Sequence, residues 1–175
     1  MKPEWITELA ADTNLWVRQT LASNPAIVNS SEGIQTLASD KTWIVRYSLA
    51  KNPAIAASPE AVKILASDED WNMRQTLATN PVIASCPEII KALAADEHYL
   101  VREALAHNSA IAGYPEAAKK LSRDRTVTVR QTLATNPVIA GFPDVVTQLA
   151  TDKNPRIRSW LADNPAILTH AISVS

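Results

Sequence analysis

The sequence predicts an all-α fold, an α-solenoid of six tandem 28-residue two-helix repeats. Three observations predict it. Arginine recurs at Arg18, Arg46, Arg74, Arg102, Arg130 and Arg158, each 28 residues after the last. Five further positions keep the same frame without an insertion. They are Asp12, Asp40, Asp68, Asp96, Asp124 and Asp152; Asn24, Asn52, Asn80, Asn108, Asn136 and Asn164; two leucine series beginning at Leu9 and Leu21; and an isoleucine series from Ile27 to Ile167. Third, glycine is scarce, at 3 residues, while alanine and leucine are abundant, which suits helices and disfavours twisted sheets. A fixed period of this size marks a stacked repeat architecture. The expected organisation is one domain over 1–175. Its repeats span about 3–30, 31–58, 59–86, 87–114, 115–142 and 143–170, and an incomplete tail covers 171–175. The stretch Arg74 to Ala84 is identical to Arg130 to Ala140, a sign of duplication.

The elements of one repeat follow from residues 58–85. Ser58-Pro59-Glu60 starts a helix. The serine can cap, proline is pre-set for the first helical position, and the acid meets the positive end of the dipole. Proline recurs there as Pro3, Pro87, Pro115 and Pro143, with Ser31 in its place once. Val62, Leu65 and Ala66 form one apolar stripe at i, i+3 and i+4. This first helix ends near Asp68. A turn follows, whose last residue is Asn14, Thr42, Asp70, His98, Thr126 or Asn154 in the six copies. Five of these are good N-cap types. The second helix runs from about Trp71 to Thr79, with Met73 and Leu77 one turn apart. Asn80-Pro81 stops it, because the residue before proline avoids the α region and asparagine tolerates a left-handed cap. Ile83 anchors the following loop. Ser109 replaces the proline in the fourth copy, which predicts a looser loop there. Neither helix is long enough to stand alone in water, so each hairpin depends on its neighbours.

The aspartate and arginine of one repeat lie six residues apart across the turn. The arginine sits beside buried positions, so its guanidinium is expected in the inter-repeat seam. The simplest arrangement is a ladder in which each arginine bonds an aspartate of its own or the neighbouring repeat, and that aspartate also caps backbone amides. The asparagines are expected to form a second ladder through loop carbonyls. A phosphate-binding arginine stripe is the competing reading. The matching aspartate for every arginine favours the ladder.

The run Leu65-Ala66-x-Asp68, four residues, then Met73-Arg74-x-x-Leu77-Ala78-x-Asn80-Pro81 resembles the leucine-rich repeat variant family. It is also similar to HEAT-like repeats, and Val17 to Pro25 shows the Val-Arg-x-x-Leu-Ala-x-Asn-Pro signature in full. The resemblance covers about Pro3 to Ile167. It implies a right-handed superhelix with the second helices on the concave side, and no reaction. The family's usual repeat is shorter. The extra residues here fall in the Ile83-to-Pro87 loop and the first helix, which predicts a true α-helix where the family can have a 3₁₀ segment. Some relatives carry a cysteine-rich cluster-binding segment; this chain has only Cys86.

Chemistry is sparse. Net charge is −1, so no global field draws in nucleic acid or anionic membrane. A single thiol makes neither an internal disulfide nor a cysteine metal site. The chain opens Met1-Lys2-Pro3-Glu4 with no apolar signal core and no long apolar run, and a reducing cytoplasmic setting is expected. His98, His107 and His170 occupy different repeat positions without metal-ligand spacing. No catalytic, metal or cofactor residue is assigned. Glu103 and His107 share a helix face and read as a solvated pair.

The variable positions of the second helix form three rows: Gln19, Tyr47, Gln75, Glu103, Gln131 and Ser159; Thr20, Ser48, Thr76, Ala104, Thr132 and Trp160; Ser23, Lys51, Thr79, His107, Thr135 and Asp163. Together they make a polar, weakly charged face that suits a peptide or protein partner better than DNA. Its candidate contact residues are Gln19, Tyr47, Lys51, Gln75, Glu103, His107, Gln131 and Trp160. Leu15-Trp16, Trp43, Trp71 and Tyr99 open successive second helices and are expected to plug the turns against the adjacent repeat. Residues 1–112 carry 9 basic and 13 acidic side chains and residues 113–175 carry 8 and 5. Lys119, Lys120, Arg123 and Arg125 cluster on the fifth repeat. This asymmetry raises head-to-tail self-association and a local anion site. The expectation is a non-catalytic binding scaffold. The alternatives are a nucleic-acid-binding HEAT-like module similar to certain DNA glycosylases, or a HEAT-like lyase or chaperone for a cofactor.

Overall fold

A computed structural model describes residues 4–167. Among these residues every regular element is helical. The α-helices are α1 (Glu4–Ala10), α2 (Leu15–Ser23), α3 (Ser31–Ala38), α4 (Trp43–Lys51), α5 (Pro59–Ala66), α6 (Trp71–Thr79), α7 (Pro87–Leu93), α8 (Tyr99–His107), α9 (Pro115–Ser122), α10 (Val127–Thr135), α11 (Pro143–Ala150) and α12 (Pro155–Ala162). The chain divides into two compact units, Met1–Ile89 and Ile90–Ser175.

In the first unit α1 packs on α3 and α3 on α5, while α2 packs on α4 and α4 on α6. Two layers result, with first helices in one and second helices in the other. The second unit repeats the plan, with α9 on α11, α8 on α10 and α10 on α12. Leu37, Leu49, Leu65 and Leu77 are fully buried in the first unit, and Leu105, Leu121, Leu133 and Leu149 in the second. Each buried leucine of this kind contributes about 2 kcal/mol of transfer free energy. Layers approach closely at Gly33, where an added Cβ would stand 2.9 Å from Ile6 Cγ2.

The repeat has a third helix. Pro25–Asn29, Pro53–Ala57, Pro81–Ser85, Ser109–Gly113 and Pro137–Gly141 are 3₁₀ helices where a loop was expected. The asparagine before each one builds it. Asn80 is extended, at φ −78° and ψ 124°, not left-handed, and its side-chain oxygen accepts from the Val82 amide. No described non-glycine residue has positive φ. The fourth copy forms the same 3₁₀ helix without proline, because Asn108 caps Ala110 in the same way. The first helices are α-helical, as expected from the longer repeat; Ser30 and Ser58 cap two of them through Gly33 and Ala61.

N-capping of the second helices departs from expectation at the threonines. Asn14, Asp70 and Asn154 accept from backbone amides two residues on. Thr42 and Thr126 make no such cap. Their hydroxyls instead accept from Arg18 Nη2 at 3.3 Å and Arg102 Nη2 at 3.4 Å. The arginine outcompetes the local amide because a charge-assisted hydrogen bond is the stronger one.

Candidate functional site

Two side-chain systems run along the second helices, one buried and one open. The buried system holds the seams. Arg18 donates through Nε to Asp40 Oδ2 at 2.5 Å and through Nη2 to Asp40 Oδ1 at 3.2 Å. Arg46 pairs likewise with Asp68, Arg102 with Asp124 and Arg130 with Asp152. Each partner lies 22 residues ahead, in the following repeat. The aspartate of an arginine's own repeat supplies only a main-chain oxygen: Arg18 Nη1 reaches Asp12 O at 2.7 Å, and Arg74, Arg102, Arg130 and Arg158 make the same bond to Asp68, Asp96, Asp124 and Asp152. Every guanidinium of these pairs therefore clamps a turn and a neighbouring carboxylate together. The carboxylate also accepts from an amide two residues on, as Asp40 does from Thr42 at 2.8 Å.

Burial of Asp40, Asp124 and Asp152 works against their ionisation. The hydrogen bonds from Arg18, Arg102 and Arg130 and from the capped amides outweigh it, so all three carboxyls sit below the usual carboxylate range. These arginines are nearly closed off from solvent, which leaves no phosphate-binding stripe at Arg18, Arg102 or Arg130.

The asparagines make the second ladder. Asn52 Nδ2 donates to Ala22 O at 2.9 Å, Asn80 to Ala50 O at 2.8 Å, Asn136 to Ala106 O at 2.8 Å and Asn164 to Ala134 O at 2.9 Å. Each one satisfies a carbonyl in the last turn of the preceding second helix, a group with no partner inside its own helix.

The open system is aromatic in the first unit. Trp16 and Trp43, at the starts of second helices, do not plug the turns. Trp16 is 71% exposed, Trp43 57% and Tyr99 42%, while Trp71 is half-buried. They stay out because leucine and alanine already fill the seam beneath them. On α4, Trp43 and Tyr47 lie one turn apart with rings edge to face at 6.2 Å. One turn further, Lys51 Nζ stands 4.7 Å from the Tyr47 ring centroid. Trp43, Ile44 and Tyr47 line one side of a cleft of about 540 Å³, and Asp70, Asn72 and Met73 of the α6 start line the other.

In the second unit the equivalent face is more polar, with Tyr99, Val127 and Trp160 exposed among glutamine, serine and threonine. Gln131 and Trp160 come together in a cleft of about 440 Å³ with Arg156, Ser159 and Asp163. Glu103 accepts from the Thr132 hydroxyl at 3.3 Å, on the neighbouring α10, and His107 is exposed. Gln19 and Gln75 are half-buried and line neither cleft. Arg123, Arg125 and Lys153 rim a further cleft above the Arg130–Asp152 pair, with Arg123 bonded to Gln148 at 3.1 Å; Lys119 and Lys120 lie outside it.

Sequence reading missed Ile44, Asp70, Asn72 and Met73. A cleft between two helices takes residues from one helix body and the next helix start, so rows of equivalent positions overlook half its wall. Among the described residues no group of histidine, cysteine and carboxylate side chains could hold a metal ion, and no helix is long and apolar enough to cross a membrane. His170 and the 171–175 tail lie outside the described residues. No family model and no curated protein matches the sequence.

Proposed function

We propose that the chain is a non-catalytic scaffold that binds an extended segment of another protein along its second helices, with its six repeats forming one right-handed solenoid. The single observation that supports this reading best is the Trp43–Tyr47–Lys51 strip beside the α6 start. Large aromatic groups left in water are costly and are the residue types that dominate binding energy at interfaces. The cleft offers an apolar wall and an acidic and amide rim at Asp70 and Asn72, and Lys51 adds a cation beside it, over the Tyr47 ring. A segment with one apolar anchor and a basic residue nearby matches it. The Val-Arg-x-x-Leu-Ala-x-Asn-Pro motif supports placing the chain beside the leucine-rich repeat variant and HEAT-like families.

Peptides selected from a displayed random library against the immobilised chain test the reading. Calorimetry on the selected peptides is expected to show affinity falling about tenfold or more in Trp43→Ala, because an aromatic anchor is worth about 2 kcal/mol. Selected peptides that bind Trp43→Ala and Tyr47→Ala as well as the parent chain would overturn it. The nucleic-acid reading draws on Arg123, Arg125 and Lys153. Binding of random duplex DNA with a steep salt dependence would replace the peptide proposal.

A further inference from the structure

Each seam inside a unit is made of the same two polar contacts, and the first seam shows an apolar one beside them. Arg130 reaches forward to Asp152 of the next repeat. Asn164 reaches back to the Ala134 carbonyl. A small residue at the start of a first helix, Gly33, rests on an aliphatic one, Ile6. Among the described residues, two surfaces carry one half of these contacts without the other.

The first surface belongs to α1, α2 and the turns beside them. Asp12 accepts from the Asn14 amide, and among the described residues no arginine side chain bonds its carboxylate. Asn24 is exposed, whereas Asn52, Asn136 and Asn164 are 3–5% exposed. Its oxygen caps Ala26, and its Nδ2 donates to no described residue. Trp5 occupies the Gly33 position and is 57% exposed, whereas Gly33, Ala61, Ile89, Ala117 and Val145 are buried there.

The second surface belongs to α11 and α12. Arg158 is exposed, although Arg18, Arg102 and Arg130 are buried at the equivalent position. Among the described residues only its Nη1 is engaged, with Asp152 O at 2.6 Å, while Nε and Nη2, which hold the carboxylate elsewhere, bond no described residue. Ala162 is exposed where Ala22, Ala50 and Ala134 are fully buried beneath an asparagine amide. Val146, in the position of Ile6, is half-exposed.

We propose that these two surfaces bind each other between copies of this chain. The α11–α12 surface of one copy receives the α1–α2 surface of the next in the geometry of an internal seam. Arg158 takes the Asp12 carboxylate, Asn24 donates to the Ala162 carbonyl, and Trp5 covers Val146. The halves match in charge, in hydrogen-bond polarity and in apolar character. The occupant is a second copy because every missing partner is one that this chain itself presents. The contact is heterologous, since it joins two different surfaces, so each copy keeps one of each surface free for a further copy.

Sedimentation equilibrium over a range of protein concentration, with charge swaps, tests it. The wild-type mass is expected to rise with concentration above the 19.0 kDa of one chain. Asp12→Arg alone and Arg158→Asp alone are each expected to stay at the single-chain mass, because each sets like charges against each other in its own contact. An equimolar mixture of the two is expected to associate again. The cation introduced on the α1–α2 surface of one variant meets the carboxylate introduced on the α11–α12 surface of the other, and the remaining surfaces form the original pair. Asn24→Asp keeps the oxygen that caps Ala26, removes the donor to Ala162 and sets a carboxylate against that carbonyl, so it is expected to weaken association with an unchanged helical circular dichroism spectrum. A wild-type mass fixed at 19.0 kDa, association that survives either single swap, or a mixture that stays at single-chain mass would each overturn the proposal. None of these readouts depends on peptide binding at Trp43.

Discussion

The α4–α6 seam of the first unit and the α10–α12 seam of the second are the same below and different above. Below, Arg46 holds Asp68 at 2.6 Å and Arg130 holds Asp152 at 2.6 Å. Asn80 and Asn164 each close the carbonyl of an alanine 30 residues earlier. Above, the first seam shows Trp43, Tyr47 and Lys51. The second shows Val127, Gln131 and Thr135 at the matching positions of α10. The chemistry that fixes one repeat on the next is therefore separable from the chemistry offered to a partner. Positions that keep one residue in all six copies are spent on the seam, and positions that vary are free for recognition.

The largest effect expected from this division is at Arg130. Replacing it with alanine strands the buried Asp152 carboxylate and frees the Asp124 carbonyl. Loss of one partner of a buried, hydrogen-bonded ion pair costs on the order of 3 kcal/mol. Arg158→Ala, the same change where the guanidinium is exposed, is expected to cost under about 0.5 kcal/mol. Thermal melts at a concentration low enough to keep the chain monomeric compare the two. Equal losses would mean that the repeat position, and not the buried pairing, sets the contribution.

Asn136→Ala comes next. It removes the donor to the Ala106 carbonyl and the cap on Val138, two bonds of a 5%-exposed side chain. One unsatisfied buried carbonyl and one lost cap together cost about 2 kcal/mol. Asn24→Ala keeps the seam intact and loses only the Ala26 cap, about 1 kcal/mol. Urea denaturation read by circular dichroism is expected to rank Asn136→Ala below Asn24→Ala, and the reverse order would remove the second ladder from the account.

Acid sharpens the same contrast. The carboxyls of Asp40, Asp124 and Asp152 have lowered folded-state pKa values. Their contribution is therefore fully present above the unfolded value, about 3.9, and drains away as pH falls below it toward the folded values. The melting temperature is expected to change little between neutral pH and about pH 5 and to drop steeply below about pH 4. In Arg130→Ala the drop is expected to be shallower, because Asp152 no longer gains from its partner.

Much of this was legible in the residues alone. The 28-residue spacing marked both helices of each repeat, and α6 falls on Trp71–Thr79 as the caps and stripe predict. The arginine–aspartate and asparagine ladders follow from pairs that keep one frame. The direction of the arginine bond does not. Asp40 and Asp68 both keep the frame of Arg46, and only packing of α4 on α6 puts the carboxylate of the following repeat in reach. The 3₁₀ helices were hidden for a related reason. Asn80-Pro81 reads as a stop, and a five-residue segment such as Pro81–Ser85 has no periodicity of its own. The tryptophans were misplaced because a large apolar side chain at a helix start fits a buried plug as well as an exposed anchor. What decides is whether Leu49, Leu77 and their neighbours already fill the space, a property of the assembled layer.

A small effect on stability is also expected at Trp43, and there the contrast between seam and open face is cleanest. Trp43 is the largest side chain on α4, yet it is 57% exposed, and among the described residues its ring pairs with Tyr47 on the same helix. Losing that edge-to-face pair on Trp43→Ala is expected to cost about 1 kcal/mol or less, far short of the roughly 3–5 kcal/mol of a buried tryptophan. The Arg46–Asp68 pair does not involve Trp43 and is left intact. A melting temperature close to that of the parent chain, measured beside loss of the selected peptides, would show that α4 carries stability and recognition on different faces. A loss as large as that of Arg130→Ala would show that the aromatic strip is part of the seam after all.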